Sequence, residues 1–329
     1  MTVNAFPHPL PLRTDGPALG LQRLVVPTSV GEVVVHADRR AGGPATLLLH
    51  GAAGSWTTWT PLIAASALGT DAPLTDIVAL DLPGWGESGG FGPIRSVEDV
   101  ADAVVEVARA LGYSSWRIVG HSLGGFVALD IAARHPAATV GVTLVSATGT
   151  GVLDAIRRPL HGGRALPWFA GMLLTMRTLA ALHAAGLGLV RVLGRLGWLR
   201  ALSSPLFAGR VHPSVTSAFA AELRPDAFVQ AARLAADYEE RTWTGISCPV
   251  RSVRGSHDVF AGERDAAAFL ALIPDFSEVR LPDAGHFANI ERPDAVLAAI
   301  AVTAAASAPR VAATTTAVSF ADRPLQTAA

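Results

Sequence analysis

The sequence predicts an α/β protein: a mostly parallel sheet with helices on both faces and an inserted helical cap. Three observations predict it. Apolar runs of strand length alternate with helical periodicity over residues 45–145. Over residues 148–244 that alternation gives way to a segment rich in Leu, Ala, Gly, Trp and Arg with few β-branched runs. The alternation then resumes at Pro249 and continues to Thr303. Strands and helices in strict alternation imply crossover connections, hence parallel strands covered on both faces, with ligands at the carboxyl ends of the strands.

Taken in order, residues 21–26 and 32–37 are β-rich runs separated by Pro27, Ser29 and Gly31, the pattern of an antiparallel hairpin at a sheet edge. Residues 45–49 form a continuous apolar run ending at His50 and Gly51, as expected of a strand buried on both faces. A strand over 76–80, an amphipathic helix over 97–111, a strand over 116–119, a helix over 126–133 and a strand over 139–145 follow. After the insertion come a strand at 249–253, a helix at 264–272, a strand at 278–281 and a helix at 293–303. The expected organisation is an extension at 1–20, a core at 21–147 and 245–306, a helical cap or lid at 148–244, and a disordered tail at 307–329, where Ala, Thr and Pro dominate without apolar period.

Composition narrows the function classes. The chain has 329 residues, half of them apolar and 16% charged, which is enough for one large core. Net charge is -1, and all basic residues are arginine, so the composition as a whole gives no electrostatic footprint for nucleic acid or an anionic membrane. Cys248 is the single cysteine and reads as a small buried hydrophobe, not a nucleophile. Residues 1–20 are proline-rich and lack a basic start and an apolar h-region; no secretory leader is expected, and the cytoplasm is the expected location. No zinc spacing, phosphate loop or dinucleotide fingerprint appears, so no cofactor is expected, and the sequence carries no signal for oligomeric state.

The stretch Ile-Val-Gly-His-Ser-Leu-Gly-Gly-Phe at 118–126 runs a strand directly into a helix and leaves Ser122 at the corner. So sharp a turn strains the backbone and tolerates almost no bulk two residues away, which Gly120 and Gly124 satisfy. The first helical turn then aims free N–H groups and the positive dipole end at the serine, a favourable place for an oxyanion. This is the Gly-x-Ser-x-Gly nucleophile elbow.

With this elbow in place the chain resembles the α/β-hydrolase family, in its serine-nucleophile, esterase- and lipase-like branch. The resemblance runs over roughly residues 21–304, most weakly at 151–244. It implies the order Ser, then Asp or Glu, then His. Asp258, in Arg-Gly-Ser-His-Asp just past the strand at 249–253, fits the orienting acid. His286, in Ala-Gly-His-Phe between the last strand and the last helix, fits the general base. His50-Gly51-Ala52-Ala53-Gly54 looks like the family's oxyanion loop, with the N–H of Ala52 pairing with that of Leu123; Ala53 is the substitute donor. Asp81-Leu82-Pro83-Gly84-Trp85-Gly86 matches a further family signature and is read as a structural turn, with no catalytic job for Asp81.

Other residues compete for these roles. His121 adjoins the nucleophile and is assigned to packing, His50 to anchoring its loop and His257 to the strand end. Asp283 stands too close in sequence to His286 to orient it, while Asp237 and Asp265 stay open as alternatives. A serine at the elbow implies an acyl-serine intermediate, hence esterase, lipase, lactonase or amidase chemistry. It disfavours the aspartate-nucleophile branch of haloalkane dehalogenases and epoxide hydrolases. Carbon–carbon bond hydrolases commonly carry Trp after the catalytic His, where Phe287 stands here. Perhydrolases share the same three residues, and ligand receptors of the same fold retain them without necessarily turning over.

Residues 165–199 are the most hydrophobic part of the chain. Arg177 divides them into apolar runs of about twelve and thirteen residues, short of the roughly eighteen a membrane span requires. The expectation is two or three amphipathic helices whose apolar faces cover the sheet domain, with Arg191 and Arg195 on one solvated face; peripheral membrane contact is the alternative. Part of this face lining an apolar cavity would select a small hydrophobic acyl substrate, an uncharged ester or lactone.

Overall fold

The computed structural model describes residues 8–38, 42–69 and 73–307. Among these, eight strands form one sheet: β1 (Gln22–Thr28), β2 (Gly31–Ala37), β3 (Ala45–Leu49), β4 (Ile77–Leu80), β5 (Trp116–His121), β6 (Thr139–Val145), β7 (Val250–Gly255) and β8 (Phe276–Leu281). Their order is β1-β2-β4-β3-β5-β6-β7-β8. The edge hairpin is antiparallel, with Val25 opposite Val34, and β2 joins β4 antiparallel. From β4 onward every pairing is parallel, including Leu49 beside Gly120, Gly120 beside Leu144 and Val145 beside Val253. Parallel strands present all their carboxyl ends at one rim, so the loops after β3, β5, β6, β7 and β8 meet there.

The continuous apolar run at β3 is explained by its position in the middle of the sheet. Leu47 and Leu49 enter one core with α2 (Val97–Ala110) and α3 (Leu123–Arg134), while Leu48 enters the opposite core with α1 (Thr60–Gly69) and α13 (Pro293–Ser307). Successive residues feeding opposite cores is the period of two that a strand covered on both faces requires. Helix α2 starts where a capping box forms: Ser96 accepts from the Asp99 N–H at 3.2 Å, and Asp99 accepts in return from Ser96.

The expected elements are present with ends moved by at most four residues. The helix expected from Phe126 begins at Leu123, and α1 was not anticipated because it is apolar nearly all round and lacks the face contrast that marks an amphipathic helix. The one-turn helix α12 (Ala288–Glu291) was also not anticipated. Ser307, expected to open a tail, still belongs to α13 and donates to the Thr303 carbonyl at 2.7 Å. Residues 308–329 of that expected tail, and residues 1–7 of the N-terminal extension, lie outside the described residues.

Between β6 and β7 the chain forms α4 (Thr150–Arg157), α5 (Pro159–Ala165), α6 (Pro167–Ala181), α7 (His183–Arg195), α8 (Trp198–Ser203), α9 (Pro213–Glu222) and α10 (Pro225–Ala236), and between β7 and β8 it forms α11 (Glu263–Leu272). Polar contacts tie them to the sheet rim. Arg224 donates to the Gly86 carbonyl and Asp154 meets Arg264 at 3.4 Å, while within the insertion Arg157 donates to the Ala236 carbonyl at 2.7 Å and meets Glu240 at 3.1 Å. Phe169, Leu173, Met176 and Leu179, on one face of α6, join the main core. The expectation that the apolar faces are turned inward holds only for these inner faces. On the outer side Leu174, Leu189, Val192, Leu196 and Trp198 are exposed, because each helix carries more apolar surface than one face can bury. Among the described residues no helix is long and apolar enough to cross a membrane.

Candidate active site

Ser122 lies between β5 and α3 with φ 50° and ψ −116°, a conformation that costs a non-glycine residue on the order of 1–3 kcal/mol. Close packing explains the flanking glycines. A Cβ on Gly124 would lie 2.1 Å from the Leu49 carbonyl oxygen, and one on Gly120 would lie 2.5 Å from the Gly124 carbonyl oxygen. The Ser122 N–H is held by the Val145 carbonyl at 3.1 Å, and the Ser122 carbonyl accepts from Gly125 at 3.0 Å. Neighbouring strands therefore clamp the turn, and Leu123 occupies the first helical position, whose N–H has no helical acceptor.

The loop after β3 packs directly over this corner. A Cβ on Gly51 would sit 2.7 Å from His121 Nδ1 and 3.0 Å from Ser122 Cβ. His50 holds the loop from beneath: its Nε2 accepts the Leu82 N–H at 3.0 Å, so Nδ1 carries the proton and donates to the Gly51 carbonyl at 2.8 Å. That is the anchoring role expected of it. Burial pushes its pKa down, consistent with a neutral imidazole. Ala53 takes φ 60°, and both Ala52 and Ala53 line the same cavity as Ser122. Asp81 accepts from Trp56 and Glu87 N–H groups at 2.8 Å each, so its carboxylate is consumed in the turn.

Asp258 and His286 come from the loops after β7 and β8, which interlock. A Cβ on Gly255 would lie 2.2 Å from the Ala284 carbonyl oxygen, and the His257 N–H donates to that carbonyl at 3.1 Å. His286 Nδ1 donates to Asp258 Oδ1 at 2.9 Å, with the carboxylate fully enclosed. The same oxygen accepts from Phe260 and Ala261 N–H groups at 2.8 and 3.0 Å. Burial works to raise the Asp258 pKa, but the imidazolium charge, its hydrogen bond and these two N–H groups outweigh it, and the net direction is down. With Nδ1 bound to the carboxylate, Nε2 of the neutral ring is the free base.

The competing residues have other partners. His121 Nε2 donates to the His286 carbonyl at 2.9 Å, and the rings lie 4.9 Å apart, so His121 braces the histidine loop. Burial, followed by the His286 charge, lowers its pKa to about 3. Asp283 pairs with Arg292 at 2.7 Å. Asp265 accepts from Gly151 at 2.8 Å and from Gly262 at 3.1 Å, while Asp237 is exposed at the end of α10; neither meets His286. Cys248 is buried, and burial raises its thiol to about 11.

Two contributors were not foreseen. The His286 N–H donates to the Leu206 carbonyl at 2.8 Å, and Glu291 accepts from Gly285 at 2.7 Å while also accepting from Ala208 and Gly209 at 2.8 and 3.0 Å. The only trace in the sequence is an acid five residues after the histidine, at the end of a turn too short to show a period.

Ser122 and His286 both face a cavity of about 610 Å³. Its walls come largely from α4, α6, α7 and α10, with Phe169, Met172, Met176 and Phe228 among them, and no Asp, Glu or Arg contributes. A site of this size with a nucleophile-type hydroxyl and a free imidazole nitrogen at one end can position an uncharged, extended apolar molecule by one reactive group.

A family model described as the alpha/beta hydrolase family matches residues 46–299. An Agrobacterium fabrum protein provisionally named carbamate hydrolase RutD is 36% identical over 117 residues; that match covers 34% of this chain and 42% of the relative, so less than half of the relative's length is spanned. An esterase of Mycobacterium tuberculosis is 28% identical over 275 residues, covering 78% of this chain and 82% of that one. Among solved structures, a thermophilic esterase from Thermogutta terrifontis superposes with a TM-score of 0.64 at 22% identity, over 87% of this chain and 99% of its own, a likeness of fold.

Proposed function

The chain belongs to the α/β-hydrolase family, and on that premise we propose that it is a serine hydrolase that cleaves a hydrophobic carboxylic ester or lactone through an acyl-serine intermediate. Ser122 is the nucleophile, His286 the general base and then acid, and Asp258 the orienting carboxylate. The observation that carries this reading is the joint exposure of Ser122 and His286 to one uncharged apolar cavity, with His286 Nδ1 fixed by Asp258 at 2.9 Å.

In the first half-reaction the Ser122 oxygen attacks the acyl carbon while its proton passes to His286 Nε2. The carbonyl oxygen takes the negative charge and is held by the N–H groups of Leu123 and Ala52, each worth on the order of 10² to 10³ in turnover. The C–O bond to the leaving alcohol breaks as His286 returns the proton to it. Water then attacks the acyl-serine, again giving its proton to His286, and Ser122 leaves with that proton as the acid departs. Residues 148–244 act as the cap over this site, since the inner faces of their helices supply the apolar wall.

A fluorophosphonate probe tests the assignment together with a panel of p-nitrophenyl esters. The unmodified chain is expected to be labelled and to turn over butyl to octyl esters faster than acetyl, and Ser122→Ala to lose both. Labelling that persists in Ser122→Ala, or an unmodified chain that turns over no ester, would overturn it.

A further inference from the structure

We propose that the outer face of α6, α7 and α8 docks on the surface of an anionic lipid bilayer, so that the cavity mouth opens toward the lipid. On α7 the inward residues Val190 and Leu193 line the cavity, yet Leu189, Val192 and Leu196 form a second apolar stripe at spacings of three and four on the solvent side. Leu196 is 65% exposed, and Trp198 and Leu202, one turn apart on α8, are 63% and 62% exposed. A helix with two apolar stripes is best satisfied when both are covered, and here only one is.

Charge identifies what covers the other. Eight of the chain's 26 basic residues and none of its 27 acidic ones fall in residues 155–221. The near-neutral total therefore hides a strongly cationic segment at 155–221 on an otherwise acidic chain, which the whole-chain balance does not reveal. Arg191 and Arg195 sit one turn apart beside the apolar stripe, Arg200 lies between Trp198 and Leu202, Arg164 is on α5 and Arg177 is within α6. All five are exposed, and among the described residues none has an acidic partner within 4 Å. Apolar side chains ringed by unpaired arginines, with two tryptophans among them, match an interface of acyl chains beneath anionic headgroups. In a symmetric pair this face would meet its own copy, and residues 155–221 have no carboxylate to bring to that ring.

The placement also connects surface to site. Trp168, 55% exposed, and Leu202 each belong both to the exposed surface and to the cavity lining, so the cavity wall reaches the surface at both. Docking on this face brings the mouth against the bilayer and lets an acyl chain pass from lipid to Ser122 without crossing water. That last step rests on the Ser122 reading above; the docking does not.

The full chain carrying Ser122→Ala separates the two, because it retains the surface and lacks the proposed nucleophile. It is expected to float with vesicles of phosphatidylglycerol and phosphatidylcholine in equal parts and to stay behind with pure phosphatidylcholine. In the same background Arg191→Gln with Arg195→Gln should weaken binding about thirtyfold, and raising salt to 0.5 M should do likewise. Leu196→Gln with Trp198→Gln should weaken it at least tenfold. The unmodified chain carrying the same pairs should keep its turnover of a short soluble ester, which shows that the fold survives. No flotation with anionic vesicles, flotation indifferent to salt and to both pairs, or a dimer in light scattering that the Leu196 and Trp198 pair dissolves would each overturn the proposal.

Discussion

The carboxylate of Glu291 accepts the N–H of Gly285 at 2.7 Å, which puts a partly buried acid one residue away from the imidazole of the site. Its other oxygen accepts from Ala208 and Gly209, in the segment that leaves α8. Gly285 itself leaves no room for adjustment, since a Cβ there would fall 2.4 Å from the Leu206 carbonyl oxygen. One acid thus joins the histidine loop to the helical insertion.

Glu291→Ala removes the acceptor for three N–H groups, of which that of Gly285 is the least able to find water. The expected cost is about 1–3 kcal/mol of stability, measured by urea unfolding. The histidine loop loosens with it, so kcat should fall about tenfold with little change in KM. Glu291→Gln keeps one acceptor oxygen and should recover part of both losses. A kcat unchanged in the alanine variant would show that Leu206 and His121 hold the loop unaided.

Asp258 offers a pH test. Its carboxyl lies below its ordinary value of 3.8 in the folded chain, against burial, because His286 and two N–H groups favour the ionised form. A depressed folded pKa stabilises the fold above the unfolded value and loses that stabilisation as pH falls through the folded one. The stability difference between the unmodified chain and Asp258→Asn should therefore stay level from pH 8 to 5 and narrow below about pH 4. Turnover of the Asn variant should drop by about 10⁴, since the amide no longer fixes the ring proton on Nδ1. A gap that widens toward pH 3 would contradict this electrostatic account.

Asp265 behaves in the opposite sense. Burial is the main reason its pKa rises to about 6, only partly offset by the Gly151 and Gly262 N–H groups. The folded chain holds that proton over a range in which the unfolded chain, near 3.8, has released it. Stability from this residue consequently declines as pH climbs from about 4 to about 6 and stays reduced above, by on the order of 2–3 kcal/mol. Urea midpoints between pH 4 and 7 should show this slope in the unmodified chain and lack it in Asp265→Asn. Because Asp265 links α4 to the loop of Asp258, the change should also appear in hydrogen exchange at Gly151.

The sheet and its rim were legible because each local signal had one physical meaning. The run at 45–49 is continuous since β3 is covered on both sides, and the glycines at 120 and 124 mark a place where backbones touch. Asp258 and His286 could be found because each stands just past a strand end. The bracing residues were hidden for the same kind of reason. Asp265, Glu291 and the Leu206 carbonyl act across long sequence separations through backbone groups, and no spacing rule encodes a carbonyl. The outward apolar face was hidden by averaging: a net charge of -1 conceals arginines concentrated in residues 155–221.

The cavity walls set the last expectation, because apolar contact is roughly additive along a chain of methylenes. Each one buried contributes about 0.8 kcal/mol, or close to fourfold in kcat/KM, until the chain meets a wall. Met176 is buried on the inner face of α6 and lines the cavity. Met176→Trp adds bulk where acyl carbons would lie, and overpacking is felt only by substrates long enough to reach it. Acetyl ester turnover should stay within about twofold while the octanoyl ester loses at least tenfold, moving the best chain length down by several carbons. An equal loss at every length would mean that the fold has been damaged, and equal retention at every length would mean that the acyl group lies elsewhere than against α6.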